Sequence, residues 1–331
     1  MPSIGFLIIG APKAGTTSLF EYMRHHPQIH MPAEKEIYFF NADRTFALGW
    51  DWYLTMMLRD APPNAVCGEA STEYMRGAPF RDSDKDGERD PHARERPEEI
   101  IPRRIKQFLP DIKLICVLRD PVERAHSHYM MRKMERADPR SFEEAVDELM
   151  EPTTMEHARV AATRTNGYIV NGEYARLLTG FLRVFPREQL MVIFSDELSQ
   201  QPTSTLSRVF DFIGVSNSFV PDNLETRFRE GAVKQRVPGL NLVSWHMNLA
   251  RVAPARTLWF ALPERWRREI HRAYSRASYR IELWNARRGS VDHEISPSAR
   301  QRLVGHFLPD SEALVEIVER DVPWLANWAR S

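Results

Sequence analysis

The chain has 331 residues, enough for one large α/β domain or two smaller ones. Apolar residues make up 43% and charged residues 27%, the balance of a globular protein in water, and the formal net charge of zero draws it to no nucleic acid. No apolar run reaches the ~18–20 residues of a transmembrane helix. The run at 4–9 is too short for a signal peptide and follows no basic segment, so a cytoplasmic protein is expected. Cys67 and Cys116 both sit in apolar runs and read as small buried side chains in strands, not as a disulfide or a metal pair.

Residues 4–9 are long enough for a fully buried strand. A Gly/Pro turn follows, Gly10-Ala11-Pro12-Lys13-Ala14-Gly15, and Thr16, Thr17 and Ser18 open a helical pattern that Pro27 ends. Glu34-Lys35-Glu36 precedes the aromatic run Ile37-Tyr38-Phe39-Phe40. Residues 50–58 read as a helix, and 65–67 as a strand running into Gly68-Glu69-Ala70-Ser71. Residues 76–98 are dense in Arg, Asp, Glu and Pro and read as a loop or a disordered segment. A helix over 98–109 is followed by the clearest strand, 112–118, and a helix over 122–135. Helices over 142–149, 174–185 and 203–213 and a strand over 190–194 complete this part; at 174–185 the stripe Leu177, Leu178, Phe181, Leu182, Phe185 has helical spacing. Strands separated by helices predict a parallel sheet covered on both faces.

From about 240 the pattern reads as helical to the end, with terminal helices over 296–307 and 311–318 and docking tryptophans Trp324 and Trp328. Residues 245–288 hold ten arginines against three glutamates, with Trp245, Trp259, Trp266 and Trp284 interleaved. That stretch reads either as solvated helix faces or as a basic, aromatic surface for an anionic acceptor or a peripheral membrane contact.

The first turn carries the chemistry. Strand, tight loop and helix start bind anions, because the first amides of a helix lack internal partners and the dipole favours negative charge. Gly10 and Gly15 have G-x-x-x-x-G spacing, but Thr16-Thr17 stand where a nucleotide kinase needs Lys-Ser/Thr, and Lys13 lies inside the loop. A second such junction joins the strand at 112–118 to Arg119-Asp120-Pro121 and a helix on which Ser127 lies about two turns in. Arg119 and Ser127 can share one phosphate. Two anion seats suggest a ligand with two anionic ends.

On these residues the chain resembles the sulfotransferases that use 3′-phosphoadenosine 5′-phosphosulfate (PAPS). Ala11 to Ser18 match the 5′-phosphosulfate loop, and Arg119 and Ser127 the 3′-phosphate site. Gly68-Glu69-Ala70-Ser71, Gly172-Glu173-Tyr174 and the turn at 185–190 are similar to further family segments, so the resemblance covers residues 4–235 and the terminal helices loosely. It implies an α/β, P-loop-like three-layer fold with a central parallel sheet and a helical C-terminal part, organised as one domain over 1–331 with its core in 1–235. It implies PAPS as donor and adenosine 3′,5′-bisphosphate (PAP) as product, with no metal required.

Within the family the chain looks closer to carbohydrate-type enzymes such as the heparan sulfotransferases, which carry a glutamate before an aromatic pair, as Glu36 stands before Phe39-Phe40. The resemblance implies Lys13 at the bridging oxygen and Glu36 as base, with Lys13, Ala14, Gly15, Thr16, Thr17, Ser18, Arg119, Ser127, Lys234 and Arg236 around the nucleotide. Glu34 is the competing base, and Arg229 the alternative in the basic loop. His25, His26, His126 and His128 read as helix-face residues. Three departures from the heparan enzymes stand out: Ala70 where they have lysine, Tyr38 and Asn41 where some have histidine and aspartate, and no disulfide in the later loop. The expected acceptor is a hydroxyl or amine of a carbohydrate or glycolipid. The alternatives are a small-molecule or lipid alcohol as acceptor, a nucleotide kinase with a deviant loop, or a non-catalytic nucleotide-binding protein.

Overall fold

The apolar run near the N-terminus forms β1 (Ser3–Gly10), and Phe6 to Ile9 are wholly buried, as a strand covered on both faces requires. The computed structural model describes residues 2–32, 35–79, 96–135, 137–160, 165–224 and 294–329, and the backbone alone of 233–235 and 286–290. In chain order β1 is followed by α1 (Thr16–Met23), β2 (Ile29–His30), α2 (Asp43–Phe46), α3 (Trp50–Leu58), β3 (Val66–Ala70), a 3-10 turn at Thr72–Arg76 and α4 (Pro97–Phe108). Then come β4 (Lys113–Leu118), α5 (Pro121–Met134), α6 (Phe142–Leu149), α7 (Pro152–Val160), α8 (Tyr174–Leu182), β5 (Leu190–Phe194), α9 (Ser195–Gln200) and α10 (Pro202–Ile213). β1 to β5 make one parallel sheet in the order β2-β3-β1-β4-β5, the arrangement expected from the strand–helix alternation.

Helix starts follow local chemistry. Ser141 and Glu144 form a reciprocal capping box at α6, and Asp120 accepts the Val122 amide at 2.8 Å to cap α5. β3 runs three residues past the expected strand, because parallel pairing with β1 continues to Ile8 opposite Ala70. Phe39, Phe40 and Tyr53 are fully buried and stack with Phe46, Trp50 and Phe108, each worth roughly 1.5–3 kcal/mol of burial. Cys67 and Cys116 are buried free thiols; burial pushes their pKa values up to about 11 and about 12.

The chain divides into two compact units, Met1–Arg229 with Ile295–Ser331, and Glu230–Glu294. In the second, β6 (Val233–Gln235) pairs antiparallel with β7 (Ala286–Ser290). This corrects the helical reading at 286–290: Gly289 and Ser290 are weak helix formers, and a partner strand takes up the backbone groups instead. The basic stretch over 245–285, the loop over 80–95, Arg229 and Arg236 lie outside the described residues, as does the side chain of Lys234.

The two expected terminal helices are one, α11 (Pro297–Val318), followed by α12 (Pro323–Trp328). Pro309 does not break α11, because it and Gly305, whose carbonyl it leaves unpaired, are both exposed and water can serve that oxygen. Among the described residues no helix is long and apolar enough to cross a membrane.

α11 is tied to the sheet-covering helices by charge. Asp310 accepts the amides of Ala175 and Arg176 at 3.0 Å each and so caps α8 from another element. Glu173 receives Arg159 of α7, Arg176 of α8 and His306 of α11 at 2.5, 2.6 and 3.1 Å. Trp324 and Trp328 dock as expected: Trp324 gives its indole N–H to Ser311, and Trp328 gives its own to Asp120.

Burial opposes ionisation of Glu173, but its hydrogen bonds from His306 and Arg159 and the charge of Arg176 win, and its pKa falls to about 2 from an ordinary 4.5. The depressed value makes this contribution fully present above about pH 4.5 and lost as pH falls through about 2. That difference corresponds to on the order of 3 kcal/mol. Chemical denaturation should show wild type losing stability across this window, and Glu173→Gln, less stable at pH 7, losing less of it.

Candidate active site

β1 delivers the first loop to the C-terminal end of the sheet. The Ala11 amide donates to the Val117 carbonyl at 2.8 Å, fastening the loop beside the end of β4. Gly10 is required there, since a β-carbon would lie 2.6 Å from Met75 Cβ. Gly15, at φ 102°, sits in the left-handed region glycine tolerates and is the N-cap of α1. The first internal bond of α1 runs from the Leu19 amide to the Gly15 carbonyl, so the amides of Thr16, Thr17 and Ser18 precede the helix ladder. No acidic residue stands in that first turn to compete with an anion. Lys13 is half-buried in the loop, with Ala14 and Thr16 buried and Gly15 exposed. The structure thus places Lys13, Ala14, Gly15, Thr16, Thr17 and Ser18 in one turn at the start of α1.

The second strand–helix junction adjoins it, since Val117 lies two residues before Arg119. Tyr174 OH donates to the Arg119 carbonyl at 2.9 Å and anchors the junction. The Arg119 side chain is 37% exposed and lies 4.0 Å from Glu123. Glu123 is engaged by Arg300 of α11, which leaves Arg119 loosely held. Ser127, half-buried, follows Glu123 by one helical interval on the same face of α5.

Glu36 stands on the other flank of β1. Its amide donates to the Ala70 carbonyl, at the end of β3, at 3.1 Å. Glu36 and Tyr38 both have positive φ, 68° and 58°. This costs about 1–3 kcal/mol each and is held by the buried Phe39 and Phe40 that follow. One Glu36 oxygen accepts from Lys35 at 2.9 Å and from Thr72 at 3.4 Å, and the other from Tyr38 OH. Glu34 lies outside the described residues.

Sequence reasoning missed what holds this loop. Glu69 is 1% exposed and accepts from Tyr74 OH at 2.7 Å, Ser71 Oγ at 2.7 Å and Tyr53 OH at 2.8 Å. Burial raises its pKa, and those three hydroxyls draw it part of the way back. Ser71 Oγ then accepts the Tyr38 amide, and Tyr74 OH the Phe39 amide, at 3.1 Å each. One buried carboxylate therefore orients the backbone of the Glu36 loop. The available signal was an acid inside the apolar run Ala65-Val66-Cys67-Gly68-Glu69-Ala70. Three of the four histidines considered are otherwise employed: His26 bonds the Ser216 carbonyl and the Gln28 amide, His25 meets Asp222, and His126 packs on Phe142, while His128 is buried against the Tyr168 ring.

Tyr74→Phe should strand the buried Phe39 amide as well as loosen Glu69, at about 1–3 kcal/mol for the unmet donor. Tyr53→Phe loses only its bond to Glu69. Thermal unfolding should show the larger drop for Tyr74→Phe.

A sequence model described as the sulfotransferase domain matches residues 4–236. The human heparan sulfate glucosamine 3-O-sulfotransferase 3B1 is 30% identical over 214 residues, 63% of this chain and 45% of that protein. The human bifunctional heparan sulfate N-deacetylase/N-sulfotransferase 2 is 27% identical over 218 residues, 64% of this chain and 22% of that protein. The chain therefore aligns with less than half the length of these curated relatives. A sulfotransferase from Alicyclobacillus acidocaldarius shares the fold, with a TM-score of 0.62 at 23% identity over 98% of both chains. With a family model that spans residues 4–236, the loops after β1 and β4 included, the chain belongs to the sulfotransferase domain family.

Proposed function

We propose that the protein moves the sulfuryl group of PAPS to a hydroxyl of a carbohydrate or glycolipid. The observation that carries this reading is the pair of adjacent strand–loop–helix seats joined by the Ala11–Val117 bond, with Glu36 across β1. A nucleotide phosphorylated at both the 3′ and 5′ positions needs two such seats; a simple mononucleotide needs one. The amides at Gly15 to Thr17 would hold the 5′-phosphate, and Arg119 and Ser127 the 3′-phosphate. Lys234 and Arg236 are assigned to the nucleotide from the family resemblance alone.

Bound there, PAPS supplies an activated sulfuryl group on a phosphate leaving group. Lys13 neutralises the negative charge that grows on the bridging oxygen as the S–O bond breaks. Glu36 accepts the proton of the acceptor hydroxyl as the new O–S bond forms. Lys35, Thr72 and Tyr38 fix its carboxylate, so orientation is set before the acceptor arrives. The names of the similar heparan sulfate enzymes support a sugar acceptor. Ala70, where those enzymes carry lysine, is fully buried here, so cationic contacts to an acceptor must come from other residues.

Calorimetry without Mg²⁺ should show PAP bound much more tightly than AMP, and Arg119→Ala should weaken PAP about tenfold or more. Equal affinity for PAP and AMP, or ATP binding that needs Mg²⁺, would overturn the donor assignment. Glu36→Gln should keep PAP affinity while turnover falls ~10²–10⁴-fold, and Lys13→Ala should depress turnover with every acceptor. An acceptor already deprotonated should partly rescue the first variant and not the second.

A further inference from the structure

Glu123 sits where the donor reading leaves least room for it. It follows Arg119 by four residues and precedes Ser127 by four, so it lies between the two side chains assigned to the 3′-phosphate. Its Oε2 is 4.0 Å from Arg119 Nη2, an ion pair too long for a hydrogen bond. The Arg119 and Glu123 side chains are 37% and 36% exposed, so a ligand can reach both from solvent. A carboxylate in that place does two unfavourable things. It competes with the phosphate for the guanidinium, and it repels a second negative charge held close by.

The acid has a local reason to be there, since it stands in the first turn of α5, where the helix dipole favours negative charge. What offsets it comes from far along the chain. Arg300, near the start of α11, gives an Nη2 hydrogen to Glu123 Oε1 across 177 positions. A cation there gains nothing from the dipole of its own helix, so local preference does not account for Arg300. It takes one Glu123 oxygen, supplies the charge that cancels the acid, and leaves the other oxygen beyond hydrogen-bond reach of Arg119. The neighbouring carboxylate is held in the same manner: Asp120 gives one oxygen to the Val122 amide and the other to the Trp328 indole of α12. Both acids beside Arg119 are thus engaged by the C-terminal helices.

We propose that Arg300 is a positioning residue for the donor: it draws Glu123 off Arg119 and cancels its charge, so that Arg119 and Ser127 can close on the 3′-phosphate. Arg300 acts through Glu123 and does not itself touch the nucleotide. The proposal rests on the PAPS reading of the site.

The test is calorimetry with PAP and with AMP at low ionic strength. Arg300→Met should weaken PAP about threefold or more and leave AMP unchanged, since AMP lacks the 3′-phosphate. That loss should shrink as salt is raised, because both side chains are more than a third exposed. Glu123→Gln should bind PAP at least as tightly as wild type. In the Glu123→Gln background, Arg300→Met should change PAP affinity by less than about twofold. Equal affinity of wild type for PAP and AMP overturns the donor reading and the proposal with it. Where wild type prefers PAP, an Arg300→Met that matches it, or that weakens PAP and AMP alike, overturns the proposal alone. So does a Glu123→Gln that itself weakens PAP. A loss of PAP affinity that persists in the Glu123→Gln background overturns it too, because Arg300 would then act on the nucleotide directly.

Discussion

A parallel sheet releases every strand at the same end, and β1 lies between β3 and β4. That placement is the constraint on which the site depends. The loop after β1 must emerge between the loops after its two neighbours. One neighbour brings Arg119 and the other brings the residues that hold Glu36. The Ala11–Val117 bond ties the loop after β1 to β4, and the Glu36–Ala70 bond ties the Glu36 loop to the end of β3. Each ties a reactive loop to a buried strand rather than to solvent-exposed chain. Strain at Glu36 and Tyr38 persists because Phe39 and Phe40 are locked in the aromatic core beneath.

The two flanks use polar groups differently. On the Glu36 side, Glu69 is buried with three hydroxyl donors, so its cost is met inside the fold and it acts as a rigid mount. On the α5 side, Arg124 and His128 are buried with groups left over.

What could be read beforehand follows from locality. The strand–turn–helix at Gly10 to Ser18 and the junction at Arg119 are written in consecutive residues, so periodicity and glycine spacing reveal them. Glu36 was reachable through the adjoining Phe39-Phe40 pair. The Glu69 network was not, because Tyr53, Ser71, Tyr74 and the amides of Tyr38 and Phe39 meet only after β3 pairs with β1. The Glu123–Arg300 pair likewise joins distant segments. Helix boundaries slipped where a tertiary partner changed the local preference: α11 runs through Pro309 because its freed carbonyl faces water, and β7 is a strand because β6 pairs with it.

The bond from Trp328 to Asp120 joins residues 208 positions apart. Asp120 is the cap of α5, the helix that follows Arg119. During synthesis β1 and its loop leave the ribosome early, and the neighbouring helix is capped at once by its own aspartate. That aspartate gains its indole partner only when residue 328 has emerged. The start of α5 beside Arg119 is therefore completed by a residue made 208 positions later, long after the loop that follows β1 has emerged.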